Sequence, residues 1–205
     1  MTKARRMMQE NISLVDLVIE LVDARIPMSS RNPDIDELGK NKARIILLNK
    51  ADLADPSVNA RWMDYFKEKG FFALEINSRT GAGVRNIQSL VLEACKEKIE
   101  RDKRRGIKNR PIRAMVAGIP NVGKSTFINA LAGKACAKTG NKPGVTKGKQ
   151  WIRLNQNLEL LDTPGILWPR FENQQVGERL AMIGSINDEI LDKDELASEL
   201  AAFLS

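Results

Sequence analysis

The sequence predicts an α/β fold built on a mostly parallel, six-stranded sheet with helices on both faces. Short apolar runs that suit buried strands alternate with longer amphipathic segments that suit helices along most of the 205 residues. A glycine-rich turn joins one predicted strand to the helix after it. An Asn-Gln-Asn turn joins the last two strands as a hairpin, which supplies one antiparallel edge.

The first half of the chain supplies three of the strands. The predicted strands are residues 16–22, 44–48 and 71–76, each apolar and short. The predicted helices are residues 2–11, a short one begun by Pro33, residues 56–69, and a long one that reaches about Arg101. Gly70 ends the third of these helices, and Gly81 and Gly83 break the chain before the fourth.

The second half follows a charged connector, RDKRRGIKNRP, which has no apolar periodicity. Its basic run is typical of a solvated linker, although it could also touch RNA. The predicted strands here are residues 112–117, 150–154 and 158–161. A helix is predicted from about Lys124 to Ala132. Residues 172–205 are helical in pattern, with one apolar face formed by Leu180, Ile183, Ile186 and Ile190.

Composition limits the possible functions. No apolar run is long enough to cross a bilayer, and the basic start lacks the apolar segment of a secretory signal, so we expect a cytoplasmic protein without a membrane partner. Cys95 and Cys136 are not spaced like a metal site and are expected to be reduced thiols. There is no histidine, the commonest general base. The net charge of +7 favours a nucleic-acid partner about as well as it favours a solvated surface.

The strongest chemical signal is GIPNVGKST, residues 118–126, which matches the phosphate-binding pattern G-x-x-x-x-G-K-[ST]. Gly118 and Gly123 let the backbone wrap around phosphate and present amide hydrogens at a helix N-terminus. Lys124 carries a charge to the β and γ phosphates, and Ser125 offers a hydroxyl to Mg²⁺. The pattern lies between a predicted strand and a predicted helix, as this mechanism requires. The predicted nucleotide contacts in this loop are Asn121, Val122, Gly123, Lys124, Ser125 and Thr126.

The identity of the base is predicted by Asn49-Lys50-Ala51-Asp52, which follows the strand RIILL and matches N-K-x-D. A carboxylate such as Asp52 can accept two hydrogen bonds from guanine, whereas adenine offers no such donor pair. Asn49 either bonds the base or ties the motif to the phosphate-binding loop, and the stem of Lys50 can lie over the purine. The two motifs together predict GTP and GDP as ligands and exclude an ATPase or a metabolic kinase.

Three further segments fit the same ligand. Asp162-Thr163-Pro164-Gly165 matches D-x-x-G, in which Asp162 holds Mg²⁺ through water and the Gly165 amide senses the γ-phosphate. Asn77-Ser78-Arg79 resembles the loop that gives a backbone amide to guanine, although an ordinary turn before Gly81 explains the same residues. Thr146 is either the switch threonine that reaches Mg²⁺ when GTP is bound or an ordinary loop residue. The predicted catalytic groups are Lys124, Thr146 and Gly165, and the predicted Mg²⁺ ligands are Ser125, Thr146 and Asp162.

The order of these motifs along the chain is unusual. In Ras-like GTPases the phosphate-binding loop comes first, whereas here N-K-x-D and the Asn-Ser-Arg loop precede it. The same sheet can still form, because a permutation only relocates the chain termini and leaves the ligand at the carboxyl ends of the strands. We therefore predict a circularly permuted, Ras-like P-loop GTPase fold.

Several segments resemble the circularly permuted GTPases of ribosome assembly, in particular the bacterial ribosome biogenesis GTPase A (YlqF) family. The similar segments are DARIPMSSRNP, LLNKAD, GIPNVGKST, PGVT and LLDTPGILWP. The resemblance implies a GTP-hydrolysing switch in late assembly of the large (50S) subunit, with that subunit and its rRNA as partners. We expect the chain to be monomeric. In several resembling GTPases the residue at Asn121 helps to bind K⁺, and the alternative is that Asn121 only braces the loop.

The chain departs from the family pattern in two places. The family usually begins with a Trp-Phe-Pro-Gly-His-Met segment, and it usually carries a longer C-terminal RNA-binding helical domain. We expect residues 1–170 to form the GTPase domain and residues 171–205 to begin that helical domain, as part of a longer protein.

Hydrolysis is expected to be slow. The position after D-x-x-G, a water-orienting glutamine in Ras-like enzymes, is Ile166 here, followed by Leu167 and Trp168. The alternative function is a nucleotide-gated RNA-binding module in which hydrolysis is incidental.

Overall fold

The fold is seen in a computed structural model that describes residues 3–107, 110–133, 150–163, 165, 167, 173–186 and 192–204. Within these residues the helices are α1 (Lys3–Ile12), α2 (Pro33–Leu38), α3 (Pro56–Glu68), α4 (Ile87–Ala94), α5 (Lys96–Arg104), α6 (Lys124–Ala132), α7 (Gln174–Met182) and α8 (Lys193–Leu204). The strands are β1 (Leu17–Asp23), β2 (Ala43–Asn49), β3 (Phe72–Glu75), β4 (Ile112–Gly118), β5 (Gln150–Arg153) and β6 (Leu158–Asp162).

The six strands form one sheet in the order β3-β2-β1-β4-β6-β5. All neighbours are parallel except β5 and β6, which pair antiparallel through the Asn-Gln-Asn hairpin. The register sets Asp23 opposite Asn49 and Leu21 opposite Gly118, so the carboxyl ends of these strands lie side by side. The predicted six-stranded, mostly parallel sheet is confirmed.

Helices cover both faces of the sheet because the central strands are apolar on both sides. On one face α4, α6 and α7 pack against β1, β2, β4 and β6, with Phe127 and Leu180 fully buried. On the other face Met8 and Ile35 bring α1 and α2 onto β1 and β4, and Phe66 brings α3 onto β2. None of the helices that the structure describes is long and apolar enough to cross a bilayer.

Two helices begin at capping residues that the sequence supplies. The Asn32 side chain accepts from the backbone N–H of Asp34, and the Asp55 carboxylate accepts from those of Ser57 and Val58. In both helices proline takes the first position, where its missing N–H has no intrahelical partner to lose.

The structure corrects the sequence prediction at two helices. The long helix expected to reach about Arg101 is divided at Cys95 into α4 and α5. The helical pattern of the C-terminal segment is interrupted after Met182, because Gly184 adopts a left-handed conformation (φ +73°). Ser185 then donates to the carbonyl of Leu180, a hydrogen bond typical of a helix C-terminus.

Candidate guanine-nucleotide site

The predicted motifs lie together at one edge of the sheet. N-K-x-D follows β2, the Asn-Ser-Arg loop follows β3, the phosphate-binding loop follows β4, and D-x-x-G follows β6. These strands are parallel, so all four segments leave the sheet at its carboxyl edge. Ligands of open α/β sheets bind at this edge.

Two glycines of the phosphate-binding loop are required by close approaches of neighbouring atoms. Gly118 has φ +154°, and a Cβ atom there would lie 2.7 Å from the carbonyl oxygen of Leu21. Gly123 has φ +101°, and its Cβ atom would lie 2.5 Å from Nδ2 of Asn49. The loop can therefore wrap closely only with glycine at both positions. Helix α6 begins immediately afterwards, so the N–H groups of its first turn point into the space that the loop encloses.

Lys124, the lysine of this loop, is buried beneath it. Its Nζ atom donates to the carbonyl oxygens of Gly118 and Ile119, each at 3.1 Å. Burial lowers the pKa of Lys124 to about 8, and the nearby negative charge of Asp162 only partly opposes this shift. The site therefore holds a desolvated cation that an anionic ligand would stabilise.

Asn49 joins the base-recognition loops to the phosphate-binding loop. Its Nδ2 atom donates to the carbonyl oxygen of Val122 at 2.7 Å. Its Oδ1 atom accepts from the backbone N–H and the hydroxyl of Ser78, at 3.0 and 2.8 Å. Asn49, Ser78 and Val122 are all buried, and hydrogen bonds between buried groups are costly to leave unmade. Of the two roles considered for Asn49, the structure contains the tie to the phosphate-binding loop.

Asp23 and Arg25 lie beside the N-K-x-D loop, and neither was among the predicted nucleotide contacts, although both fall in the DARIPMSSRNP segment. Asp23 ends β1, and its buried carboxylate accepts from Nζ of Lys50 at 2.8 Å. Arg25 donates to both oxygens of the same carboxylate, each at 2.8 Å. Burial acts to raise the pKa of Asp23, but the hydrogen bonds from Arg25 and Lys50 outweigh it and hold that pKa below its usual range.

This carboxylate fixes the position of the Lys50 ammonium. Lys50 itself has a left-handed backbone (φ 60°), which is uncommon for a residue other than glycine. The sequence offered one sign of this role for Asp23: it is a charged residue at the end of an apolar strand that precedes the N-K-x-D strand.

The residues predicted to contact guanine lie around the Lys50 side chain. Ala51 and Asp52 form a short 3₁₀ turn, with the Ala51 N–H bonded to the carbonyl of Ile76, and the Asp52 side chain is exposed. Asn77 bends the neighbouring loop by accepting from the backbone N–H groups of Arg79 and Thr80 at 2.9 and 3.1 Å. Arg79 is exposed at the rim, so both loops present groups to the space in front of the sheet.

The D-x-x-G segment closes the phosphate side. Asp162 is buried at the end of β6, in register with Val116 of β4. Thr163 donates its hydroxyl to the Val116 carbonyl at 2.7 Å. A Cβ atom on Gly165 would lie 2.8 Å from Cα of Pro120 and 3.0 Å from Nζ of Lys124, so its backbone rests directly on the phosphate-binding loop.

Four predicted residues remain, two in helix α6 and two outside it. Ser125 and Thr126 lie in the first turn of α6, half-buried and exposed respectively. The Asn121 side chain donates to the carbonyl oxygen of Gly184 at 2.6 Å, which links the loop to the segment after α7. Thr146 lies outside the described residues.

Comparisons with known proteins agree with this arrangement. A family model described as "50S ribosome-binding GTPase" matches residues 113–198. The solved structure of GNP-bound YlqF from T. maritima is similar with a TM-score of 0.69 and 29% identity, covering 96% of this chain and 72% of that one. Ribosome biogenesis GTPase A of Priestia megaterium is 55% identical over 206 residues, which span all of this chain and 72% of that protein. The chain belongs to the ribosome biogenesis GTPase A family.

Proposed function

We propose that this chain binds GTP and GDP, hydrolyses GTP slowly, and acts as a switch in assembly of the large ribosomal subunit. The observation that carries the nucleotide assignment is the hydrogen bonding of Asn49, which joins the N-K-x-D loop, the loop after β3 and the phosphate-binding loop. The subunit assignment rests on the family, whose members are named for ribosome biogenesis.

Base recognition is assigned to the loops after β2 and β3. The exposed carboxylate of Asp52 accepts the two guanine donors, and the stem of Lys50, held by Asp23, covers the purine face. The Asn77–Arg79 loop, which Asn49 holds through Ser78, flanks the guanine oxygen. Its three N–H groups donate to Ala82, Asn49 and Asn77, so one of these bonds must open before a backbone amide can reach the base.

Phosphate binding is assigned to the loop after β4. Its amides and the buried Lys124 ammonium surround the β and γ phosphates, and the Gly165 amide lies close enough to sense the γ-phosphate. When bound, Mg²⁺ would neutralise charge between these phosphates. Mg²⁺ commonly takes one or two carboxylates plus phosphate and water, and the Ser125 hydroxyl and buried Asp162 fit that set, with Thr146 completing it in the GTP state.

Slow turnover follows from the residues after D-x-x-G. Leu167 is partly buried against the core, and its aliphatic side chain cannot orient water. Potassium beside Asn121 would supply positive charge to the transition state; the Oδ1 atom of Asn121 could face such an ion while Nδ2 keeps its bond to the Gly184 carbonyl.

The chain order of the motifs supports a circularly permuted GTPase domain over residues 1–170. Residues 171–205 begin a helical region whose first helix, α7, packs on the GTPase core through Leu180. We also assign a monomeric chain that works in the cytoplasm, with rRNA of the large subunit as its partner.

Base specificity is tested by Asp52→Asn. The amide can meet the carbonyl of xanthine but not the paired donors of guanine, so GTP affinity should fall at least a hundredfold while XTP affinity rises. Asp55→Asn is the matched control, because Asp55 is three residues away and asparagine caps a helix equally well. Unchanged GTP binding by the Asp52 variant would refute the assignment.

The switch role is tested by co-sedimentation with large ribosomal subunits in GDP and in a non-hydrolysable GTP analogue. Binding that depends on the nucleotide, with single-turnover hydrolysis accelerated by subunits, is the expected result. Binding without acceleration would favour the nucleotide-gated RNA-binding module instead.

A further inference from the structure

The positive charge of the chain is concentrated in one short segment. Residues 101–110 contain six basic residues and one acidic residue, a net charge of +5 out of +7 for the whole chain. The other 195 residues therefore carry a net charge of only +2. A concentration of this kind is the electrostatic footprint of a surface that meets a polyanion.

The structure describes residues 101–107 of this segment as a helix end. Helix α5 finishes at Arg104, Arg105 caps it, and Gly106 takes a left-handed conformation (φ +75°). Ile107 donates to the carbonyl of Asp102 at 3.0 Å, which closes the end in a Schellman motif. The basic side chains are thus presented from a fixed backbone.

Four of the five basic side chains described in this segment form no ion pair with the residues that the structure describes, and Arg110 has only a long contact of 3.7 Å with Asp16. Asp102, the acidic residue of the segment, pairs with Lys98 inside the helix. Arg101, Lys103, Arg104 and Arg105 are exposed, and none of them forms an ion pair with any residue that the structure describes. Together with Arg110 they form a surface that we call the basic pole. Favourable contact with the helix dipole explains charges in the last turn, but Arg110 lies beyond the helix.

The basic pole lies at the edge of the sheet opposite the nucleotide. Asp16, which precedes β1, lies 3.6 Å from Nζ of Lys98 and 3.7 Å from Arg110. Both contacts hold the pole at the amino ends of the strands, about 20 Å from the phosphate-binding loop, since β4 is seven residues long. A ligand at the pole would leave the nucleotide site open.

We propose that the basic pole binds the phosphate backbone of ribosomal RNA while the opposite edge holds the nucleotide. This inference rests on the proposed function and names the surface through which it reaches its partner. Arginine suits such a surface because its planar group can donate two hydrogen bonds to one phosphate. The contact would be independent of sequence and sensitive to salt.

The test is a triple charge reversal, Arg101→Glu with Arg104→Glu and Arg105→Glu, compared with a matched reversal elsewhere. The control changes the exposed residues Lys40, Arg61 and Lys67 to Glu, which alters the net charge equally. Both variants should bind fluorescent GDP as the unchanged chain does, which also establishes that they fold.

Binding to protein-free large-subunit rRNA is then measured across a range of salt concentrations. Three lost phosphate contacts should lower affinity about a hundredfold at roughly 0.15 M salt and reduce the slope of log affinity against log salt by about 2 to 3. The control reversal should lower the affinity by no more than a few-fold and should leave the slope nearly unchanged.

Normal rRNA binding by the pole variant, or an equal loss in the control, would overturn the role of the pole. Loss of binding to intact subunits with rRNA binding retained would also overturn it, because it would identify a protein partner instead. Failure of the unchanged chain to bind either subunits or rRNA would contradict the proposed function itself.

Discussion

Nucleotide binding should take up a proton at Lys124, to an extent that depends on pH. In the free protein the pKa of this lysine is about 8, and contact with phosphate should return it above 10. At pH 8.5 the free lysine is about three-quarters deprotonated, so GDP binding should take up about 0.7 proton; at pH 7.5 it should take up about a quarter. Affinity should therefore fall about threefold between these two pH values.

The same shift determines how the free protein responds to pH. Its folded-state pKa lies below the unfolded value of 10.5, so the folded state holds fewer protons than the unfolded state. Stability of the nucleotide-free protein should therefore rise between pH 8 and 10.5, by about 3 kcal/mol in all.

Proton uptake is measured by titration calorimetry in two buffers of different ionisation enthalpy. Lys124→Arg is the control, because a guanidinium stays protonated throughout this range and the uptake should disappear even if affinity falls. An uptake of zero at pH 8.5, or the same uptake in the arginine variant, would show that the protonation state of Lys124 does not change when the ligand binds.

Three further predictions concern single residues. Asp23→Asn should weaken the binding of GDP and of GTP equally, about tenfold, because Lys50 loses a charge-assisted hydrogen bond. In a Lys50→Met background the same change should alter neither affinity, and a further loss there would exclude action through Lys50. Gly123→Ala should reduce both affinities more than tenfold by fluorescence titration, whereas Gly133→Ala, also at a positive φ (+65°) but in open space, should leave them intact. Stimulation of GTP hydrolysis by KCl over NaCl at matched ionic strength should vanish in Asn121→Ala, and equal rates in both salts for the unchanged chain would discard the potassium site.

The sequence was sufficient for the sheet and for the motifs because both depend on local patterns. A buried parallel strand needs a short apolar run, and a phosphate-binding loop needs glycines at a fixed spacing before a helix. Gly118 and Gly123 are therefore recognisable without knowing what approaches them.

The contacts of Asn49 and Asp23 could not be predicted in the same way. An asparagine after a strand has several possible partners, and the carbonyl that its Nδ2 atom bonds, that of Val122, is 73 residues further along the chain. Asp23 has the appearance of an ordinary turn residue until Lys50 and Arg25 are brought to it in space.

The predictions of two helix boundaries were wrong for a different reason. No glycine or proline marks the break at Cys95, so local propensity gave no warning. Beyond Met182 the apolar pattern continues because Ile183 and Ile186 still pack against the core after the helix has ended. In most segments a helical spacing of apolar residues marks a helix with a buried face, but after Met182 the apolar residues are buried without a helix.

The long separation between Asn49 and Val122 has a consequence for how the chain is synthesised. Strands β1, β2 and β3 leave the ribosome before β4, so the base-recognition half emerges with the β4-pairing edge of β1 still open. Until the later half arrives, Asn49 has no carbonyl acceptor and no phosphate-binding loop is present. Guanine nucleotide therefore cannot guide the early stages of folding, and it can stabilise the protein only after both halves have been translated and paired.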